Sequence, residues 1–295
     1  LTSQILKTKA KKIICLDINE TELFKLKNNL NYDSRFRFVL CDINDSFQIK
    51  KILKKYKINQ VFHAAAYKHV TMLEYDKVAA IKNNILGTLS MIKCLNSNIK
   101  NFTFISTDKA AKPVNTLGLT KRFSELLCLY YSKKLKIKFS IVRFGNVFGS
   151  RGSAIEIFEN QIKNNLPITL TDARAERYFM SITEACNLVM QSTQLKCKGE
   201  ILLLNMGKPK KVIEIIKKLF IFYDKKNYPI KITKLKKGEK LKEILTTSKK
   251  KFKTIHPDIF GINERKISNK KLENIIYLIN CNADPILILN KIKKL

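Results

Sequence analysis

The chain has 295 residues, 45% of them hydrophobic and 9% aromatic, with only 9 Gly and 6 Pro. That excludes disordered, collagen-like and small disulfide-stapled chains and leaves enough length for a substantial core. The formal charge is +33, but it comes from 49 Lys against 8 Arg spread over the whole chain. This reads as the Lys, Ile and Asn bias of an A/T-rich coding sequence rather than an Arg-rich nucleic-acid face, so nucleic acid is not expected as a partner. Such a surface still attracts phosphorylated substrates and anionic membrane surfaces.

No apolar run approaches the roughly 18 residues of a membrane span, and no signal peptide is evident. The seven Cys (15, 41, 94, 128, 186, 197 and 281) form no Cys-x-x-Cys pair, and His63, His69 and His256 have no ligand spacing. Reduced cytoplasmic thiols and no metal are expected. The first residue is Leu, so the sequence is expected to be a fragment or a processed product.

In chain order, Lys12–Asp17 reads as a strand and Glu20–Leu30 as a helix. Phe36–Cys41, Gln60–Ala65, Phe102–Ser106 and Phe139–Arg143 read as further strands. The helices between them fall at Ser46–Tyr56, Lys77–Leu95 and Thr116–Lys134. Apolar strands separated by helices predict an α/β fold, a Rossmann-like, doubly wound parallel sheet covered on both faces. Ligands of such sheets lie beyond the carboxyl ends of the strands. Beyond residue 150 the rhythm loosens. Helices are predicted at Ser153–Asn164, Glu184–Gln194, Lys210–Phe222 and Pro285–Lys294, and strands at Ile168–Leu170, Glu200–Asn205 and Ile230–Leu235. We divide the chain into a dinucleotide-binding part over 1–150, an interleaved substrate-binding part over 151–260 and a helical tail over 261–295.

Asp17 closes the first strand, where an acid accepts hydrogen bonds from an adenosine ribose, and Asp42 closes the next. Either acid could equally serve as a helix or turn cap. No Gly-x-Gly-x-x-Gly loop precedes the first helix.

The richest stretch is Ser106–Lys121, STDKAAKPVNTLGLTK. It resembles the CapD-like nucleotide-sugar 4,6-dehydratases of polysaccharide biosynthesis, extended short-chain dehydrogenase/reductases. Val61–Val70 (VFHAAAYKHV), Asn84–Thr88, Val142–Ser153 (VRFGNVFGSRGS), Arg177–Met180 (RYFM), Asn205–Gly207 and Gly238–Glu243 (GEKLKE) match in the same order. The likeness runs from about Ser3 to His256-Pro257. It implies that the chain begins inside the first helix, the glycine loop belonging to a preceding part.

The resemblance implies NAD or NADP as cofactor, near Asp17, Asp42, Ala64, Ala65, Asn84 and Lys121. It implies a UDP-sugar substrate near Lys68, Asn146, Arg151, Arg177 and Glu239, and a homo-oligomer. His69 is expected to be structural. The implied chemistry is oxidation at sugar C4, loss of water across C5 and C6, and return of the hydride to C6. Asp108 matches the acid at C6, Lys109 the base at C5, Thr107 the partner of the C4 oxygen and Lys121 the ribose-holding cation. As a base Lys109 needs its proton affinity lowered, by desolvation or neighbouring cations. The usual Tyr of Tyr-x-x-x-Lys is Leu117 here, as it is Met in long membrane-anchored members. The O4 proton then needs another acceptor, such as a water ordered by Thr107 and Lys121. Lys236 and Lys237 replace the family's Arg-Pro. The location implied is the cytoplasm, at the inner face of a membrane if the parent is anchored. An epimerase of the same fold and a catalytically inactive binding module are the alternatives.

Overall fold

The computed structural model describes residues 1–30, 33–196, 200–248, 250–263 and 267–295. Cys197, one of the seven thiols, lies outside the described residues. The first half runs α1 (Thr2–Leu6), β1 (Ile13–Asp17), α2 (Glu20–Asn29), β2 (Phe36–Leu40), α3 (Ser46–Lys55), β3 (Gln60–His63), α4 (Val70–Tyr75), α5 (Lys77–Ala80), α6 (Gly87–Cys94), β4 (Asn101–Thr107), α7 (Thr116–Lys134) and β5 (Lys138–Phe144). Then follow β6 (Asn146–Val147), α8 (Ala154–Lys163), β7 (Ile168–Leu170), β8 (Glu176–Arg177), β9 (Phe179–Met180), α9 (Ile182–Ser192), β10 (Ile201–Leu204), β11 (Lys210–Lys211), α10 (Val212–Phe222), β12 (Ile230–Ile232), β13 (Lys251–Lys253), β14 (Ile259–Ile262), α11 (Asn269–Asn280) and α12 (Pro285–Lys293).

The helix starts are written in the sequence. Asn19, Asp45, Asn115, Ser153, Ser181 and Asp284 each accept the backbone N–H three residues on. Each satisfies a donor that a helix N-terminus leaves unpaired.

The main sheet has the order β13-β14-β10-β5-β4-β3, with β3, β4, β5 and β10 parallel and β14 antiparallel to β10. Its interior strands are buried: Phe102 and Phe104 on β4, Ile141 and Val142 on β5, and all four residues of β10. β1 and β2 form a separate parallel pair. The predicted doubly wound α/β architecture is the one observed.

Two expectations change. The predicted helix Lys77–Leu95 is one helical run, but Ile81–Leu86 widens into a π-helical turn. The Asn84 carbonyl there accepts the hydroxyls of Thr88 (2.7 Å) and Ser124 (2.7 Å). Side-chain donors of this kind compete with the regular helical ladder. The expected helical tail, in turn, begins inside the sheet, because β14 pairs with β10. The unpredicted α11 joins α12 in burying Leu272, Ile275, Ile279, Ile288, Leu289 and Ile292 in the core that holds β4 and α7. A smaller apolar cluster, Phe158, Ile162, Ile168, Leu170, Val212 and Ile216, joins α8, β7 and α10. Among the described residues no helix is long and apolar enough to cross a membrane.

Candidate active site

The carboxyl ends of β1, β2 and β3 border a cleft of ≈ 210 Å³ lined by Asp17, Cys41, Asp42, Ala64, Ala65, Tyr67 and Asn83 among others. Asp17 Oδ1 accepts the Asn19 N–H at 2.9 Å, and Asp42 Oδ1 accepts the Asn44 N–H at 2.8 Å. Both acids therefore hold their own turns while facing the cleft. The small Ala64 and Ala65 let a ligand come close to the backbone.

The carboxyl end of β4 carries the ionic centre. Thr107 ends the strand, and Asp108–Ala110 turns as a short 3₁₀ helix toward α7. Asp108 is fully buried. Its Oδ1 accepts the Thr107 hydroxyl at 2.8 Å and Lys109 Nζ at 3.0 Å. Its Oδ2 is buried and has no hydrogen-bond partner among the described residues. That oxygen lies against Gly145, where an added Cβ would stand 3.2 Å from it and 3.0 Å from Tyr178 Cβ. A bare Cα at position 145 keeps this corner open.

Lys109 also faces Glu243 Oε1 at 3.7 Å, and Glu243 Oε2 meets Lys240 Nζ at 3.1 Å. Burial pulls the Lys109 amine down, but Asp108 and Glu243 outweigh it and raise the pKa above the ordinary lysine value, against a smaller opposing effect of Arg177. This corrects the expectation of a weakened base. At rest Lys109 is an ammonium, because the two carboxylates beside it outweigh both burial and Arg177. Glu243 is the participant that motif matching missed. Its signal was the second acid of GEKLKE, whereas Glu239, the acid singled out, accepts the Lys236 N–H at 3.2 Å within its own turn.

Lys121 is buried among different neighbours. Its amine donates to the Ile105 carbonyl and lies 4.0 Å from the Phe104 ring centroid. Burial lowers its pKa to about 8, with Glu125 opposing. The two groups named for ordering a water thus turn elsewhere, Thr107 to Asp108 and Lys121 to Ile105. Leu117 packs with Val70, Leu73 and Ala80.

Beneath the site a buried ion pair locks β4, β5 and α7 together. Arg143 grips Glu125 through Nε at 2.9 Å and Nη2 at 2.6 Å, and the Ser106 hydroxyl donates to Glu125 Oε1 at 2.6 Å. Burial pushes the Glu125 carboxyl up, but Arg143, Arg122 and Ser106 together hold it below its ordinary value. His63 is buried against Thr88 at 2.9 Å, its pKa pushed down to about 3 by burial and by Lys121.

The remaining expected residues are dispersed. The Asn84 amide is engaged with the Tyr67 N–H, the Tyr67 carbonyl and Thr120, so it shapes the 64–67 loop while Asn83 lines the cleft. Lys68 is exposed on that loop. The His69 ring packs against Gly152. Asn146 follows β5 and pairs through its backbone with Tyr178. Arg151 pairs with Glu22. Arg177 donates to the carbonyls of Glu176, Lys240 and Leu241, so its guanidinium holds backbone rather than facing open cleft. Among the described residues no group of three acids, His or Cys stands close enough to hold a metal ion.

The chain is similar to solved and curated proteins in fold and in sequence. The structure of Pen from Bacillus thuringiensis superimposes with a TM-score of 0.82 at 31% identity, over 95% of this chain and 93% of that one. The capsular polysaccharide biosynthesis protein CapD of Staphylococcus aureus is 39% identical over 262 residues, 86% of this chain. Those residues are 43% of CapD, so the chain spans less than half the length of that relative. The inverting UDP-N-acetylglucosamine 4,6-dehydratase of Campylobacter jejuni is 31% identical over 245 residues, 81% of this chain and 71% of that protein. UDP-glucose 4-epimerases of Rickettsia species are also relatives. With its family model matching residues 1–264, the chain belongs to the polysaccharide biosynthesis protein family.

Proposed function

We propose that this protein is a nucleotide-sugar 4,6-dehydratase that uses a nicotinamide dinucleotide and converts a UDP-N-acetylhexosamine to its 4-keto-6-deoxy product. The observation that carries the reading is the Asp108–Lys109 pair, with Asp108 fully buried and one of its carboxylate oxygens, beside Gly145, without a hydrogen-bond partner among the described residues. A buried acceptor without a donor is costly in a resting protein and suits a site completed by a ligand hydroxyl.

The cleft at the ends of β1, β2 and β3 fits the adenosine half of the dinucleotide, with Asp17 at the ribose and Asp42, Ala64 and Ala65 beside the base. When bound, the nicotinamide supplies the hydride acceptor that makes the C4 ketone and the donor that reduces C6. The chain's own residues handle the protons. One proton moves from Lys109 Nζ to Asp108 Oδ1 along their 3.0 Å hydrogen bond, leaving an amine beside a carboxylic acid. The amine takes the C5 proton, made acidic by the neighbouring ketone. The acid protonates the departing C6 hydroxyl, which leaves as water. The pair thereby returns to ammonium and carboxylate; the O4 proton released on oxidation passes to solvent, and the Lys109 ammonium delivers a solvent-derived proton to C5 as the hydride reaches C6, so the whole reaction neither gains nor loses a proton. General acid and base contributions of about 10²–10⁴-fold each are expected.

Epimerisation at C4 has no leaving group at C6 to protonate, so it gives a buried acid–amine pair no work; this favours dehydration over the epimerase reading. The test is NMR analysis of the protein turning over UDP-N-acetylglucosamine with NAD⁺ or NADP⁺ in deuterated water. A 4-keto-6-deoxy product with deuterium at C5 is expected. A C4 epimer with the C6 oxygen retained would overturn the assignment.

A further inference from the structure

Residues 236–245 lie across the ionic centre as a strap. Its backbone is pinned from three separate elements. Asn115, the cap of α7, donates to the Gly238 carbonyl at 2.7 Å. Arg177 of β8 donates to the carbonyls of Lys240 (2.7 Å) and Leu241 (2.9 Å). Arg143 of β5 donates to the Leu245 carbonyl at 3.1 Å. Gly238 has φ +85°, and a Cβ there would stand 2.8 Å from Asn115 Cβ, so the first pin requires glycine.

Within this fixed backbone the charged side chains divide. Lys242 turns outward to Glu176 at 3.1 Å with its side chain 68% exposed. Glu243 turns inward, 6% exposed, to a point between Lys109 and Lys240. The result is an alternating file, Asp108, Lys109, Glu243 and Lys240, with Arg177 the further cation facing Lys109.

We propose that Glu243 is a positioning residue: held by the pinned strap, it fixes the Lys109 amine between two carboxylates and governs when that amine releases its proton to Asp108. At 3.7 Å its charge favours the ammonium and opposes early transfer. Lys240 moderates that hold by sharing the carboxylate. The strap therefore keeps the pair charged until a ligand alters the balance. This catalytic consequence rests on the dehydratase reading; the geometry and the titration of Lys109 do not.

The test titrates Lys109 without substrate, by trace labelling of the protein with acetic anhydride across about pH 7 to 11 and peptide mass spectrometry, which spans the ordinary lysine range. Glu243→Gln should lower the Lys109 midpoint by about one pH unit or more, a roughly tenfold faster labelling at a pH below both midpoints. Lys240→Met, a milder change, should move it the opposite way, and Lys242→Gln on the same strap should leave it unmoved. In the dehydration assay Glu243→Gln should shift the pH profile of kcat and leave KM near its original value. The proposal is overturned if Glu243→Gln melts cooperatively yet keeps the original midpoint. If that variant does not fold, Lys240→Met decides alone: an unmoved or lowered midpoint overturns the proposal. Shifted midpoints in a protein that makes no 4-keto product would sink the dehydratase reading and leave the positioning role standing.

Discussion

Lys109 and Lys121 are carried by one strand–turn–helix unit, Lys121 buried and Lys109 partly so, yet they are opposite in character. Lys109 lies among carboxylates and binds its proton more tightly than an ordinary lysine. Lys121 lies against an aromatic ring and a peptide carbonyl, and its pKa falls to about 8. Burial acts in the same direction on both, so the partners decide. Glu125 opposes the fall at Lys121, but Arg143, Arg122 and Ser106 already engage that carboxylate. One region thus holds a lysine proton more tightly than usual, and the other holds one less tightly while leaving that lysine mostly protonated at neutral pH.

Three substitutions test this contrast. The largest expected effect belongs to Asp108→Asn, which removes one of the two carboxylates around Lys109. Dehydration should fall by about 10²–10⁴-fold, and the Lys109 labelling midpoint should drop; an unchanged midpoint would mean that Asp108 is not what holds the proton. Next comes Arg143→Met. It leaves Glu125 buried without its bidentate partner and should destabilise the fold by about 3–5 kcal/mol in chemical denaturation. It should also let Glu125 raise the Lys121 midpoint, making the two lysines more alike. The smallest effect is expected from Lys121→Met. The folded chain releases this proton near 8 and the unfolded chain near 10.5. The unfolded state therefore binds more protons in that window, and stability rises with pH across it. The variant should lose up to about 1.4 kcal/mol per pH unit of that rise. Denaturation curves at matched ionic strength would show it as a flatter slope than the parent's, and identical slopes would remove Lys121 from the comparison.

The sequence made the strand ends legible because buried parallel strands leave unbroken apolar runs such as Phe102–Ser106, with chemistry-bearing residues immediately after them. Helix starts were legible for an equally local reason, their Asn, Asp and Ser caps. Asp108 and Lys109 were singled out by the family resemblance, which rests here on one contiguous stretch of chain. What pairs with them was not, since Glu243 reaches Lys109 only through a strap whose pins come from three distant elements. The hold of Arg177 on backbone was illegible for the same reason: its carbonyl partners belong to that strap. The direction of the Lys109 shift was missed because burial alone predicts a fall, whereas the adjacent Asp108 and, from far along the chain, Glu243 together reverse it. β14 was unreadable because four residues between Lys-rich segments give no periodicity, and their partner, β10, is remote in sequence.

That remote pairing has a consequence for how the protein is made. β10 is Ile-Leu-Leu-Leu, buried along its whole length between β5 and β14. A growing chain completes β10 well before residues 259–262 leave the ribosome. During that interval the strand presents an uncovered apolar edge, the kind of surface that recruits other chains. The many lysines bordering β13 and β14 keep the late-arriving partner soluble, but they do nothing for β10 while it waits. Synthesis that stalls between these two strands would therefore leave the nascent protein at its most vulnerable to aggregation, and a chain ending there would carry an intact Asp108–Lys109 turn on a sheet it could not close.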